Sequence, residues 1–300
     1  MNEKYKPDLS RKEIAQIPLS ENCKSVILGS LLGDGSLKKE PGYANLRFKF
    51  RHSEVQADYF HWKVDLLKEI ATEKSVQKQK ADGYSTNSKL LFQSGARTQL
   101  TMLWKKIGSN NMVIERNWLN HLTALSLAVW WFNDGSLTSK KRKGVLCTDN
   151  FPVEECKTLA KYLKKSWNID SRVRPIMRKE NPKNSYTREQ YYRLWLNNTE
   201  VRKLLLIVLP YAETEFTVKK CLLIYADPNY QQRWISDMRG LLSPKGKNVL
   251  NDLLQTLDLN KFSDVLLMKS IEKSTELIET VDLSVNSIDQ DDAPQDVEPS

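Results

Sequence analysis

Histidine and cysteine are scarce in this 300-residue chain, with three of the first and four of the second. Cys23, Cys147, Cys156 and Cys221 form no CxxC pair, and with only His52, His61 and His121 beside them no zinc site is legible. Four free thiols in a reducing compartment are expected. No serine or cysteine is paired with a histidine in a way that suggests a covalent nucleophile. Long apolar runs are missing too: Asp34 and Asp134 interrupt the longest, which excludes a membrane-spanning helix and any membrane partner. Residues 1–12 are charged, lack the apolar stretch of a signal peptide, and are not the Arg-rich, acid-poor kind of a transit peptide. The chain is therefore expected not to be secreted and to be made in the compartment where it works. A hydrophobic content of 40% is enough for a core, in one large or two small domains.

What is present is charge, unevenly spread. The formal net charge is +9, yet residues 241–300 hold 5 lysines against 12 acids. That leaves 41 basic against 25 acidic groups in residues 1–240. A folded region so cationic points to a polyanionic partner, most simply nucleic acid. The acidic, proline-containing end has the composition of disorder.

One phrase occurs twice. Ile27-Leu28-Gly29-Ser30-Leu31-Leu32-Gly33-Asp34-Gly35-Ser36-Leu37 and Leu127-Ala128-Val129-Trp130-Trp131-Phe132-Asn133-Asp134-Gly135-Ser136-Leu137 are apolar runs that end in Asp-Gly-Ser-Leu, their aspartates 100 residues apart. Each copy introduces a similar series of elements. After Asp34 come the alternating segment Leu46–Arg51, a helical stripe through Phe60, Val64, Leu67 and Ile70 or Ala71, strand candidates 74–80 and 89–93 joined by Asp82-Gly83, and a helix over 97–107. After Asp134 come a strand at 145–148, a helix over 152–167, strands at 172–176 and 191–196, and a helix from Glu200 to Leu209. Measured from each aspartate, the paired strands begin 40 and 38 residues on, and the later ones 55 and 57 residues on. The pattern predicts two α/β units of one topology, over 1–109 and 110–242, with 110–122 as connector. Residues 243–300 form a helical and acidic extension, in part disordered, with an amphipathic run over 249–283.

Read as helices, the two phrases would pack on each other. Gly29 and Gly33 lie four apart on one face and would let a second backbone approach; each costs about 1 kcal/mol in a helix against Ala, so a packing reason is expected. The second copy has Ala128 beside Val129 and Asn133 in the places of Gly29 and Gly33, so the interface is asymmetric. Asp34 and Asp134 fall at helix C-termini with Gly35 and Gly135 as C′ residues. An acid there opposes the helix dipole, and its use twice argues for a bound cation. The last carbonyls, those of Gly33 and Asn133, are candidate extra ligands. A hairpin turn at each Asp-Gly accounts for one copy, but not for two that introduce the same series of elements.

With these motifs the chain resembles the LAGLIDADG homing endonucleases in their single-chain, two-repeat, intron-encoded form. Ile27–Gly35 and Leu127–Gly135 match the nine-residue signature, and the likeness runs from about Val26 to Lys220. The resemblance implies an α+β fold: two pseudo-symmetric αββαββα repeats, signature helices packed together, and an antiparallel sheet per repeat for the DNA major groove. It implies a monomer that binds Mg²⁺, with Mn²⁺ as a substitute, through Asp34 and Asp134. It implies a basic catalytic residue as well, which in the second half falls on Lys219. In the first half the matching stretch 109–113 lacks that lysine, and Asn111, Lys105 and Lys106 are the nearest substitutes.

Hydrolysis of a phosphodiester needs an activated water and neutralised charge, and metal held between carboxylates supplies both. The DNA contacts expected from the outer faces of the sheets are Arg47, Lys49, Arg51, Lys78 and Lys80 in one half, and Arg172, Arg174, Arg178 and Arg193 in the other. Lys140-Lys141-Arg142-Lys143 reads as a phosphate-contacting or merely solvated loop. The leading expectation is a site-specific, Mg²⁺-dependent double-strand DNA endonuclease of the homing type. The alternatives are an RNA-binding maturase for its host intron and a nuclease-dead DNA-binding regulator. Organelle, bacterial and phage genomes are all open as hosts.

Overall fold

The computed structural model describes residues 14, 16–81, 87–107, 113–138, 141–177 and 190–256. The first repeat runs α1 (Glu21–Leu31), β1 (Ser36–Lys38), β2 (Arg47–Ser53), α2 (Ala57–Leu66), β3 (Val76–Gln79), β4 (Lys89–Gln93) and α3 (Thr98–Ile107). A short helix α4 (Arg116–Leu119) leads to the second: α5 (Ala124–Asp134), β5 (Gly135–Leu137), β6 (Gly144–Leu146), α6 (Val153–Trp167), β7 (Arg172–Met177), β8 (Gln190–Leu196) and α7 (Asn198–Val208). Both repeats are αββαββα. Their antiparallel sheets have equivalent strand orders, β1-β2-β4-β3 and β5-β6-β8-β7. Then come α8 (Glu215–Lys219), α9 (Pro228–Leu241) and α10 (Pro244–Thr256).

Strand periodicity builds the first sheet. In β2, Phe48 and Phe50 are buried, and His52 continues that face inward. They pair through β4, with Phe50 opposite Phe92 and His52 opposite Leu90. The ring of Phe50 stacks 5.2 Å from that of Phe92 and lies 5.2 Å from Phe60 of α2.

Two helices form the centre. In α5, Leu125 through Phe132 are all buried, which is the composition of a helix surrounded by protein. Its start is closed by a capping box between Thr123 and Ser126, while the Ser20 side chain caps α1 by accepting from Cys23 N at 3.1 Å. Helix α1 packs on α5, tied at the top by Thr123 Oγ1 donating to Ser25 Oγ at 2.8 Å. A Cβ on Gly29 would lie 2.4 Å from the Ser126 carbonyl oxygen and 3.0 Å from Val129 Cβ. Ala128 is fully buried in the same core.

Helix α10 also joins this core. Leu250 and Leu253 are buried, and a Cβ on Gly246 would lie 2.3 Å from the Ala212 carbonyl oxygen. The expected extension from residue 243 therefore begins as a packed helix; the rest of its amphipathic run and its acidic end, 257–300, lie outside the described residues, as does the Asp82-Gly83 turn. No helix among the described residues is long and apolar enough to cross a membrane.

Candidate active site and nucleic-acid face

Asp134 is the last residue of α5, and Asp34 lies three residues past the end of α1. Each leads at once into the edge strand of its own sheet, β1 or β5. The glycines next to them do not act as left-handed caps. Gly135 has φ −79° and ψ 143°, and among the described residues Gly42 is the one glycine with positive φ. Space, rather than backbone freedom, selects glycine here: a Cβ on Gly35 would lie 2.7 Å from Ser30 Cβ, and one on Gly135 2.1 Å from the Trp131 ring. Gly33 sits directly against the second repeat: a Cβ there would fall 1.8 Å from Asp134 Oδ2.

Asp34 is surrounded by donors. Lys63 Nζ lies 3.0 Å from Oδ1 and 3.1 Å from Oδ2. His52 Nε2 lies 3.0 Å from Oδ2, and Asn133 Nδ2 donates to Oδ1 at 2.5 Å. Asn133 is held in turn by Tyr59, whose hydroxyl donates to its Oδ1 at 2.7 Å. The Lys63 side chain is fully buried, its ammonium 4.0 Å from the Phe50 ring centroid. Burial by itself would raise the Asp34 carboxyl, but Lys63 and then His52 outweigh it and hold it down at about 2. Burial pushes both Lys63 and His52 below their ordinary values, with Asp34 opposing.

Asp134 is different. Its Oδ2 is buried and has no hydrogen-bond partner among the described residues. Burial, and then the charge of Asp34, push its carboxyl up to about 7, with Lys220 and Lys63 opposing. The nearby cation is Lys220, whose Nζ donates to the carbonyls of Asn133 at 3.3 Å and Gly135 at 2.8 Å. Lys219, the basic residue expected there, pairs with Glu215 one turn back at 2.5 Å. Adjacent residues of a helix point about 100° apart, so Lys220 faces the end of α5 while Lys219 faces Glu215. The Asn133 carbonyl, a candidate metal ligand, accepts from Lys220 at 3.3 Å, and the Asn133 side chain donates to Asp34. Oxygen ligands suit a hard divalent cation. Asp134 Oδ2 keeps all its lone pairs for such an ion, whereas the charge of Asp34 is already balanced by the buried ammonium of Lys63.

The outer faces of the sheets carry most of the expected DNA contacts. In the first sheet Arg47, Lys49 and Arg51 share one face, joined by Lys38, paired with Arg47, and by Lys89, paired with Ser53. Arg47 donates to the Ser94 carbonyl at 2.8 Å, Lys49 pairs with Glu40, and Arg51 is exposed. Lys78 is a correction: it pairs with the buried Leu90, so it lies on the helix side of the sheet, where it meets Glu54 at 2.5 Å. Lys80 comes just after β3 and is exposed. In the second sheet Arg174 stands directly opposite Arg193, and Arg172 opposite Trp195. Like charges across a ladder destabilise it; Asp149 neutralises Arg193 with two bonds of 2.7 and 2.6 Å. Arg178, Asn111 and Lys140 lie outside the described residues.

Lys63, His52 and Lys220 were not among the expected site residues, though two of them left a signal. Lys63 interrupts the apolar stripe of α2 between Phe60 and Leu67, where a lysine needs a buried partner. His52 is the next inward step of the alternation through Phe48 and Phe50. The basic support of the first half was expected from Lys105, Lys106 or Asn111, but the cation on Asp34 comes from α2.

Comparison with known proteins agrees with this architecture. The chain is 30% identical over 178 residues to a protein named RecA from Mycolicibacterium chitae, covering 52% of this chain and 38% of that protein. It is 27% identical over 168 residues to the cytochrome b mRNA maturase bI2 of Saccharomyces cerevisiae, covering 52% and 39%. In both relatives the match spans well under half of their length. Among solved structures, the homing endonuclease I-WcaI bound to its DNA recognition sequence superposes with a TM-score of 0.57 at 20% identity, over 75% of this chain and 96% of that one, which is a likeness of fold. The sequence profile described as the LAGLIDADG DNA endonuclease family matches residues 24–204, more than half of the chain. On that match, with two αββαββα repeats and the paired acids at their junction, this chain belongs to the LAGLIDADG DNA endonuclease family.

Proposed function

We propose that this protein is a site-specific, divalent-metal-dependent DNA endonuclease that works as a monomer. The observation that carries the reading is that Asp34 and Asp134 come together at the junction of α1 and α5, each just before the edge strand of its own cationic sheet. A binding module has no need for a buried carboxylate oxygen without a hydrogen-bond donor, which is costly to keep. Asp134 is the residue that would hold Mg²⁺, or Mn²⁺ in its place. Bound there, the metal would supply a Lewis acid for the scissile phosphate and an acidified water.

The protein's own groups do the rest. Lys220 holds the turn after α5 through two backbone carbonyls and so fixes the direction of Asp134. The Tyr59–Asn133–Asp34 chain of hydrogen bonds locks the two repeats in one register. Arg47, Lys49 and Arg51 on one sheet, and Arg172, Arg174 and Arg193 on the other, would place the duplex, lysine mainly on phosphate and arginine on guanine edges. The test is incubation of the purified chain with a randomised duplex library in Mg²⁺, then sequencing of cut ends. Cuts at one long motif are expected. Tight, sequence-selective binding with every duplex left intact in both Mg²⁺ and Mn²⁺ would overturn the enzyme reading.

A second reading has its own support. The likeness to yeast cytochrome b mRNA maturases favours a role in splicing of a host intron, and an organellar host gene. Splicing of the flanking intron by the purified protein, retained in an Asp34→Ala, Asp134→Ala double variant, would establish it as separate from cleavage.

A further inference from the structure

The two acids at the junction are not equivalent, although their sequence contexts are. Both oxygens of Asp34 are engaged, by Lys63, His52 and Asn133 at 3.1 Å or less. Lys63 has no exposed surface, and its ammonium lies between the carboxylate and the Phe50 ring. A lysine sealed in this way depends on its counter-charge, and Asp34 gives it that charge through both oxygens. Asp134 has the reverse character: one oxygen is buried and has no hydrogen-bond partner among the described residues, and the nearby Lys220 donates to two backbone carbonyls.

We propose that Lys63 is a built-in cation for the first half-site, so that divalent metal is bound through Asp134 alone and not symmetrically through both acids. Asp34 is then the counter-ion of Lys63 and a structural tie to Asn133 across the repeats. If the endonuclease reading on which this consequence rests holds, the strand served by Asp134 is cut first and nicked duplex accumulates.

The test uses the full chain and Mn²⁺, whose free ion is counted by electron paramagnetic resonance. The wild type should bind Mn²⁺ at one site. Asp134→Asn should abolish it, Asp34→Asn should leave it, and Lys63→Met should create a second site that disappears in the Lys63→Met, Asp34→Asn double variant. Thermal unfolding without metal supplies a readout that needs no binding. Asp34→Asn should lower Tm because it strands Lys63, Asp134→Asn should not, and the double variant should recover part of the loss. Equal loss of Mn²⁺ in Asp34→Asn and Asp134→Asn, no Mn²⁺ bound by the wild type, or an unchanged Tm in Asp34→Asn would each overturn the proposal. If Lys63→Met does not fold, the two aspartate variants and the double variant still decide. Absence of cleavage on either strand, with the Mn²⁺ and Tm results intact, would instead count against the endonuclease reading.

Discussion

Lys63 shows what a single buried charge costs and demands. Without Asp34 it would sit unpaired against Phe50, and breaking a buried pair from one side costs about 3–5 kcal/mol. Asp34→Asn is therefore expected to be the most destabilising polar change at the junction, measured by urea unfolding at neutral pH. The pH dependence of the two acids runs in opposite directions. Asp34 is held below its ordinary 3.8, at about 2, so its contribution to stability is present above 3.8 and lost as pH falls through about 2. Asp134 is raised from 3.8 to about 7, so the stability that goes with its protonated form is full below 3.8 and lost as pH rises through about 7. Asp134→Asn should accordingly gain stability over the wild type as pH rises from about 4 to about 8. Because a ligand must be deprotonated, Mn²⁺ affinity of the wild type should climb between about pH 6 and about pH 8. A flat profile would show that Asp134 is not the ligand.

Elements meet by shape at the junction of α1 and α5, and the glycines there are not interchangeable. Gly29→Ala sets a methyl group 2.4 Å from the Ser126 carbonyl oxygen, a backbone atom that cannot turn away. It should cost about 1–3 kcal/mol as the helices separate. Gly33→Ala sets the methyl 1.8 Å from Asp134 Oδ2, the end of a side chain. That variant should lose metal affinity more than stability, as a Mn²⁺ titration beside a urea curve would show. Gly240, within α9, has nothing within 4 Å of such a methyl, and Gly240→Ala should gain up to about 1 kcal/mol. At this scale much was legible beforehand. The repeat order, the inward Phe48 and Phe50, and the helix over 153–167 all come from local periodicity, which a chain carries in itself. Lys78 was not legible. The parity of β3 against β4 is set by pairing across the sheet, and Val76 and Lys78, both exposed, give no inward signal.

The whole molecule spreads its positive charge over two sheet faces, and salt is the lever that reads it. Affinity for a duplex should fall steeply with ionic strength, since each phosphate contact releases counterions. Arg51→Ala and Arg172→Ala are each expected to reduce the salt slope by about 1, while Lys78→Ala, facing the helices, should leave it unchanged. Filter binding over a salt series measures all three. The continuous core through α1, α5, α7 and α10 implies that residues 244–256 contribute to stability. Truncation before Pro244 should lower Tm, because it uncovers the sites of Leu250 and Leu253.

Sequence alone determined the class of fold, the doubled acids, the cationic strand faces and the pairing of the signature helices. The doubled acids, the strand faces and the close approach of the helices rest on short-range periodicity and on the repetition of one phrase; the α+β class comes from the resemblance to the LAGLIDADG homing endonucleases that the phrase carries. Only the tertiary structure decided which cation meets which acid. Lys63 reaches Asp34 from 29 residues away, and Lys220 rather than Lys219 faces the end of α5, because packing and helix rotation act between segments that no spacing connects. The same packing makes two acids in like phrases chemically unlike: one bonded on both oxygens by buried groups, the other with a buried oxygen that has no hydrogen-bond partner among the described residues.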